Sequence, residues 1–171
     1  MKKSLAIILA VVLVCALLVV GAMAGGAQSP TQKGTTGEAT EETASDVVVT
    51  SALEAEAEVA EALKEAQAEL EENAADLSQI CPDLAGVEDI GDFSVLDLIN
   101  ISWGEEAEAV LKEKGSIDIE LEAKLAKDAE FHVIFKDAGK WVSVDDKAEL
   151  KDNGNILLKA AQQGIYAILA K

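Results

Sequence analysis

The stretch FHVIFKDAGKWVSV, residues 131–144, decides the fold class of this chain. Residues 131–135 form an apolar run rich in β-favouring side chains, and the apolar pattern resumes at Trp141. Between the two runs, Ala138-Gly139 supplies the residues of a turn. The stretch therefore predicts two short strands joined through this turn.

Further short strands are expected on both sides of this pair. Ile117, Ile119 and Leu121 alternate with acidic residues, which predicts a half-buried strand. Asn153-Gly154 predicts a type I′ hairpin turn, because both residues tolerate a positive φ. The remaining strands are expected at residues 95–101, 147–150, 156–159 and 165–169. Short strands separated by turns predict a small antiparallel β-sandwich over residues 93–171.

One segment of this region is ambiguous. Residues 105–114 have the composition of a short helix that ends at Gly115. Residues 107–111 can also form a strand that pairs with residues 117–121 across a turn at residues 112–115. The strand is the interpretation we adopt, since its neighbours along the chain are strands.

A single amphipathic helix is predicted upstream of the sandwich, over residues 51–78. Ser51 has the character of an N-cap, and Glu54 completes a capping box. The apolar side chains form one stripe at helical spacing, made of Val59, Leu63, Ala66, Leu70, Ala74 and Leu77. We expect the stripe to pack on the sandwich or on the connecting loop, residues 79–92. The alternative is a coiled coil through the same stripe.

The chain begins with the features of a secretory signal peptide. Lys2 and Lys3 precede an uncharged apolar run at residues 5–20, and Ala22-Met23-Ala24 forms a small-x-small cleavage site. Residues 1–24 are therefore predicted to be removed after Ala24. The alternative is an uncleaved anchor, because residues 5–24 are long enough to span a bilayer. In both cases the rest of the chain is exported, to the medium or the cell envelope.

Composition limits the possible partners. The 171 residues carry a formal charge of −18, and all 14 cations are lysine. Binding to a nucleic-acid backbone requires clustered cations, so this class of protein is excluded. Residues 38–92 hold 17 acids and one Lys, whereas residues 93–171 hold 15 acids and ten Lys. The acidic character belongs mainly to the helix and to residues 25–50, which are predicted to form a disordered linker.

The C-terminal region resembles a module found at the end of small exported proteins of anaerobic Gram-positive bacteria. The resemblance covers about 75 residues, with a V-x-D-L-x-x-I-S opening strand and a V-x-x-K-x-x-G-K-W hairpin. The matching stretches are residues 95–102, 116–121, 132–141 and 154–169. The chain departs from the module near its end, where Gln163-Gly164 stands in place of the usual Ser-Pro. The resemblance implies an immunoglobulin-like sandwich on an exported protein, without catalytic residues to carry over.

The sequence contains no recognisable set of catalytic residues. Nucleophilic chemistry needs a nucleophile, a base and an orienting group. His132, the single histidine, lies in a predicted strand, and Cys81 is expected to be a small buried side chain beside Pro82. Trp141 is expected in the core, whereas Trp103, beside Gly104 at a strand end, is expected to be the more exposed ring. We therefore predict no catalytic residues and no cofactor.

Oxygen ligands in two turns provide the only metal hypothesis. The candidate Ca²⁺ ligands are Asp145, Asp146, Asp152 and Asn155. Their spacing does not fit an EF-hand loop, which requires a bidentate Glu at its twelfth position.

The sequence as a whole predicts an α+β protein with a leader, an acidic linker, one helix and an immunoglobulin-like sandwich. The expected function is non-catalytic, a binding, spacing or adhesion role toward a protein or glycan at the cell surface. Two alternatives remain: an anchored envelope protein that assembles through its helix, and a small secreted hydrolase.

Overall fold

The computed structural model describes residues 34–40 and 45–171. The predicted signal peptide, its cleavage site at Ala24 and residues 25–33 of the predicted linker lie outside the described residues. Within the described residues the fold is α+β, with two α-helices and nine strands in two antiparallel sheets. Among these residues, no helix combines the length and apolar character needed to cross a membrane.

The elements are short and follow one another closely. Helix α1 spans Ala57–Glu72 and helix α2 spans Glu105–Lys114. The strands are β1 Gly37–Ala39, β2 Val48–Ser51, β3 Ser94–Ser102, β4 Ile117–Leu121, β5 Phe131–Asp137, β6 Lys140–Ser143, β7 Ala148–Leu150, β8 Ile156–Ala160 and β9 Gly164–Ala170.

The two sheets form a sandwich. Sheet 1 has the strand order β1-β4-β8-β7, and sheet 2 has the order β2-β3-β9-β5-β6. The alternating residues of β4 confirm the predicted strand, because Ile117, Ile119 and Leu121 are fully buried while Asp118 and Glu120 are only partly covered. These side chains pack between the sheets with Ile99 and Ile168 of sheet 2.

Helix α1 covers the outer face of sheet 2, so the molecule has three layers. Leu63, Ala66 and Leu70 of the predicted stripe are buried against Leu98 and Trp141 of this sheet. The connecting segment adds Leu77, Cys81, Leu84 and Phe93 to the same apolar cluster. The structure thus confirms that the stripe packs on the sandwich and on the loop that approaches it. The apolar stripe that a coiled coil would need is buried against sheet 2 of the same chain.

The prediction that residues 25–50 form a disordered linker is wrong for the part that the structure describes, residues 34–40 and 45–50. Residues 34–40 and 45–51, called here the N-terminal strap, contribute β1 to sheet 1 and β2 to sheet 2. Asp97, buried in β3, accepts a hydrogen bond of 2.5 Å from the backbone N–H of Thr35. The polar composition suggested disorder, but edge strands are held by backbone hydrogen bonds that composition does not reveal.

The start of helix α1 also differs from the prediction. Ser51 is not an N-cap but the buried last residue of β2, paired with Ile99. The helix begins at Ala57 with Glu56 as its N-cap, and it ends at Glu72. Leu77 lies in a separate 3₁₀ turn. Pairing with β3 fixes Ser51 in an extended conformation, and this overrides the local capping signal.

Residues 105–114 form a helix, so the predicted strand at 107–111 is wrong. The carboxylate of Asp46 accepts hydrogen bonds from the backbone N–H groups of Glu106 and Ala107, at 2.9 and 3.0 Å. Gly115 ends the helix with a left-handed φ of 81°. The helical propensity of the segment is therefore supported at both ends.

The turn predicted at Ala138-Gly139 is present, whereas the turn predicted at Asn153-Gly154 has a different geometry. Residues 137 and 140 pair directly, and both Ala138 and Gly139 have positive φ, so this hairpin has a two-residue turn of type I′ character. The hairpin between β7 and β8 is present, but of the pair Asn153-Gly154 only Gly154 has positive φ. Its N–H bonds to the carbonyl of Lys151, which closes a longer loop instead of the predicted type I′ turn.

Candidate functional site

A cleft of about 630 Å³ opens at one end of the sandwich, where three separate parts of the chain meet. Its walls come from the end of β3 with helix α2, from the end of β5 with the β5–β6 turn, and from the loop between β8 and β9. Its lining residues include Trp103, Glu108, Lys112, Lys136, Asp137 and Gln162. We call this feature the end cleft.

Trp103 is the more exposed of two aromatic residues, Trp103 and Phe135, that line the end cleft in the described part of the chain. Its indole is half-buried against the sandwich core, and its backbone N–H donates to the side-chain oxygen of Gln163 at 3.1 Å. Trp141, by contrast, is buried beneath helix α1, where its Nε1 donates to Glu69 at 3.2 Å. The structure confirms the expectation that Trp141 is a core residue and Trp103 the more exposed ring.

The loop beneath the cleft is held by Tyr166. The Tyr166 hydroxyl donates to the carbonyl of Gln162 at 2.7 Å, and its ring packs against Phe135 with centroids 4.7 Å apart. Burial raises the pKa of Tyr166 to about 12, so the hydroxyl keeps its proton and the hydrogen bond at physiological pH. This contact fixes the backbone of Gln162 relative to the sheet.

The charges around the end cleft are largely balanced within the protein. Lys136 lies 2.6 Å from Glu69 and 5.6 Å from the ring of Trp141. Lys112 and Glu108 form an exposed pair at 4.0 Å along helix α2. The cleft therefore offers an aromatic face, carboxamide groups and paired charges, a combination suited to a polar ligand without strong net charge.

His132 is engaged in a structural hydrogen bond. Its Nδ1 lies 2.6 Å from the carboxylate of Asp145, which also accepts the backbone N–H of Val133 at 2.7 Å. The imidazole packs against Phe93, with ring centroids 4.8 Å apart. This fits the expectation of a histidine satisfied within the sheet.

Cys81 is buried without a disulfide partner in the described part of the chain. Burial first, and the nearby charge of Asp83 second, raise the pKa of its thiol to about 11. The thiolate required of a nucleophile is thus disfavoured. The structure confirms the prediction of a small buried side chain beside Pro82.

The candidate calcium ligands are not brought together. Asp145 and Asp146 lie in a 3₁₀ turn, and the carboxylate of Asp145 is hydrogen-bonded to the imidazole of His132. In the β7–β8 loop, Asp152 pairs with Lys127 at 2.8 Å and Asn155 donates to Glu120 at 2.6 Å. Across residues 34–40 and 45–171, no three His, Cys, Asp or Glu side chains are grouped to hold a metal ion.

Among the residues that line the end cleft, the sequence singles out Trp103, which was expected to be an exposed ring beside Gly104 at a strand end. Lys136, Asp137 and Gln162 carry no such signal, since Lys136 and Asp137 end strand β5 and Gln162 lies in the β8–β9 loop, and only the packing of the sheets brings them together.

Comparisons of the chain with protein-family models, with curated proteins and with solved structures found no match.

Proposed function

We propose that this chain is an exported, non-catalytic binding protein of the cell envelope, and that the end cleft of an immunoglobulin-like sandwich binds a glycan. The observation that carries the proposal is the half-buried Trp103 ring in a cleft of about 630 Å³ lined by polar groups. Export rests on the predicted leader at residues 1–24.

The strand pairing supports the immunoglobulin-like assignment. The pairs β4–β8, β8–β7, β5–β6 and β5–β9 correspond to B–E, E–D, C–C′ and C–F, so β4 to β9 follow the order B, C, C′, D, E, F. Strand β1 lies beside β4, as strand A lies beside B. The place of strand G, beside F, is taken by β3, which precedes these strands in the chain.

The hydrogen bond of Tyr166 is a second supporting feature. Immunoglobulin domains carry a tyrosine near the start of strand F whose hydroxyl bonds to the backbone a few residues upstream. Tyr166 is the third residue of β9, the F equivalent, and it bonds to the carbonyl of Gln162. The chain departs from antibody domains because its buried Trp141 lies on the C′ equivalent, β6, instead of on strand C.

A glycan fits the chemistry of the cleft better than a charged ligand does. Sugars present apolar C–H faces that pack on aromatic rings and hydroxyls that bond to amides and carboxylates. Trp103 offers the ring, while Gln162 and Asp137 offer the polar groups. Lys136 is paired with Glu69 and Lys112 with Glu108, so both lysines in the described lining of the cleft have an acidic partner that competes with an anionic ligand.

The experiment is a titration of the full-length chain, in a mild detergent, with soluble N-acetylglucosamine oligomers, followed by tryptophan fluorescence and calorimetry. Trp141 is buried, so a shift in emission reports on Trp103. We expect saturable binding that Trp103→Ala weakens at least tenfold, whereas Trp103→Phe retains part of it.

The matched control is Lys159→Ala, an exposed change on β8 outside the cleft, which should leave binding unchanged. Saturable binding that Trp103→Ala does not weaken would place the ligand elsewhere. Absence of binding to these and to other wall-derived oligosaccharides would refute the glycan assignment.

Location is tested separately by fractionation of the producing cells with intact mass measurement. A chain that starts at Gly25 in the medium supports secretion, and a membrane-bound chain that starts at Met1 supports the anchor. A chain found in the cytoplasm would contradict both forms of the proposal.

A further inference from the structure

A second groove, of about 600 Å³, runs along the side of the sandwich between the edges of the two sheets. Its walls are β1, the edge strand of sheet 1, and residues 47–49 around β2, the edge strand of sheet 2. We call this feature the edge groove. It lies apart from the end cleft, with which it shares no lining residue.

Strand β1 has backbone N–H and C=O groups along the edge groove that no backbone group of residues 34–40 and 45–171 satisfies. Thr36 and Thr40, which flank β1, bond to β4 through Glu122 and Asp118, and Glu38 pairs with Glu120. In an antiparallel ladder successive residues face opposite sides, so the N–H and C=O groups of Gly37 and Ala39 point away from β4. Among the described residues, these groups have no backbone partner outside the ladder. Such an edge is a template for an additional strand.

The side chains along the edge groove are of two kinds. Glu38, Glu120 and Glu122 line it as carboxylates, and no lysine is among its described lining residues. Glu38 and Glu120 are direct cross-strand partners, an arrangement of like charges that destabilises a sheet. The β2 side is apolar, and Val48 is 53% exposed there.

Glu120 is held as an anion in this groove. The side-chain amides of Asn155 and Asn153 donate to it at 2.6 and 3.0 Å, and these bonds, with the charge of Lys151, lower its pKa. Its negative charge is therefore a fixed feature of the groove at neutral and mildly acidic pH.

We propose that the edge groove binds an extended polypeptide segment with alternating cationic and apolar side chains, which adds as a strand to the free edge of β1. The backbone groups of Gly37 and Ala39 would bond to the added strand. Because side chains of a strand alternate between faces, one set meets the carboxylates of Glu38 and Glu122 while the other meets Val47 and Val49. The inference does not depend on the glycan site.

The test uses the full-length chain in mild detergent and a fluorescein-labelled peptide of four Lys-Val repeats, with binding followed by fluorescence anisotropy. A second peptide of the same sequence carries N-methyl groups on alternate backbone amides, which removes donors without changing charge. We expect the first peptide to bind saturably and the N-methylated peptide to bind at least tenfold more weakly. Equal binding of the two peptides would show simple charge attraction and would overturn the proposal.

Substitutions in the chain test whether the peptide binds in the edge groove. Ala39→Pro removes an outward N–H without breaking the β1–β4 ladder and should weaken binding at least tenfold. Glu38→Gln should weaken it threefold to tenfold at low salt, because one carboxylate is lost. Glu149→Gln, on the opposite edge strand β7 of the same sheet, is the matched control and should have little effect. An equal effect of Glu38→Gln and Glu149→Gln would exclude the edge groove as the site.

Sedimentation of the chain without peptide tests the competing occupant, a second copy of the protein. We expect a monomer. A dimer that Ala39→Pro dissociates would mean that the edge groove pairs with another copy, which would overturn the proposed occupant. If Ala39→Pro fails to fold, the comparison of the two peptides on the unmodified chain still decides the question.

Discussion

Gly139 and Gly154 have the same backbone conformation in different surroundings. Both have a φ of 82°, in the left-handed region where a side chain is strained. A Cβ on Gly139 would meet nothing within 4 Å, whereas a Cβ on Gly154 would lie 2.4 Å from the carbonyl oxygen of Leu125. Gly154 also accepts the N–H of Leu125 at 2.8 Å. The β7–β8 loop therefore packs so closely on residue 125 that only glycine fits.

Alanine at these two glycines should separate backbone strain from steric overlap. Gly139→Ala should lower the free energy of unfolding by about 1–2 kcal/mol, the cost of a left-handed side chain. Gly154→Ala should cost a further 1–3 kcal/mol or so, because backbone atoms of residue 125 must move. Chemical denaturation of both variants measures the difference. Equal losses would mean that the loop shifts freely and that the close approach is unimportant.

Cys81 gives a pH-dependent prediction. Its pKa is about 11 in the folded chain and near 9 when exposed, so the folded state holds the proton more tightly. This contribution to stability is complete below pH 9 and is lost as the pH rises toward 11. Relative to Cys81→Ala, the unmodified chain should therefore lose stability over this interval, by an amount on the order of 2 kcal/mol. Urea denaturation at pH 8, 9, 10 and 11 measures the difference, and a difference independent of pH would contradict it.

At the scale of elements, helix α2 depends on a residue that is distant in the sequence. Its first N–H groups are satisfied by Asp46 of the strap, about 60 positions upstream of Glu106 and Ala107. Gly104, just before the helix, leaves room for this carboxylate, since a Cβ there would lie 2.5 Å from its oxygen. Helix α2 in turn supplies Glu108 and Lys112 to the end cleft. The strap and the candidate binding site are thus physically connected.

Removal of this cap should destabilise the protein. Asp46→Ala should lower the free energy of unfolding by about 1 kcal/mol, the usual value of an N-cap, whereas Asp46→Asn keeps one acceptor and should cost less. Asp128→Ala, an exposed acidic residue outside the strap, is the control and should be nearly neutral. Thermal denaturation followed by circular dichroism compares the three variants. A neutral Asp46→Ala would show that the cap does not hold the helix.

At the scale of the whole molecule, the folded unit begins well before the first strand expected from the sequence. The strap adds an edge strand to each sheet, and Thr35 anchors it to buried Asp97. Helix α1 covers Leu98, Ile134 and Trp141 on the outer face of sheet 2. A fragment limited to residues 93–171 would expose this apolar face and lose the cap of helix α2.

Truncation tests this account. A chain that begins at residue 34 should give a well-dispersed amide NMR spectrum and cooperative thermal unfolding. A chain that begins at residue 93 should aggregate or unfold without cooperativity, because the face beneath helix α1 becomes solvent-exposed. A well-folded fragment of residues 93–171 would show that the strap and helix α1 are accessory to the sandwich.

The sequence by itself determined the local features of this protein. Period-two alternation fixed β4, because burial of Ile117, Ile119 and Leu121 follows directly from the pleat of a strand. Helical spacing likewise predicted the buried stripe of helix α1 at Leu63, Ala66 and Leu70, whereas the surface on which it packs was left open. Ala138-Gly139 marked a turn whose geometry depends on two residues alone.

Only the tertiary structure decided the features that join distant residues. Ser51 has the local character of a helix cap but pairs with Ile99 in the sheet. Residues 105–114 have helical composition, and the distant Asp46 supplies the cap that supports their helix. The end cleft exists because three separate parts of the chain meet at one end of the sandwich. The physical reason is that strand pairing and capping satisfy backbone groups across many positions of sequence, and no local pattern records which partner will satisfy them.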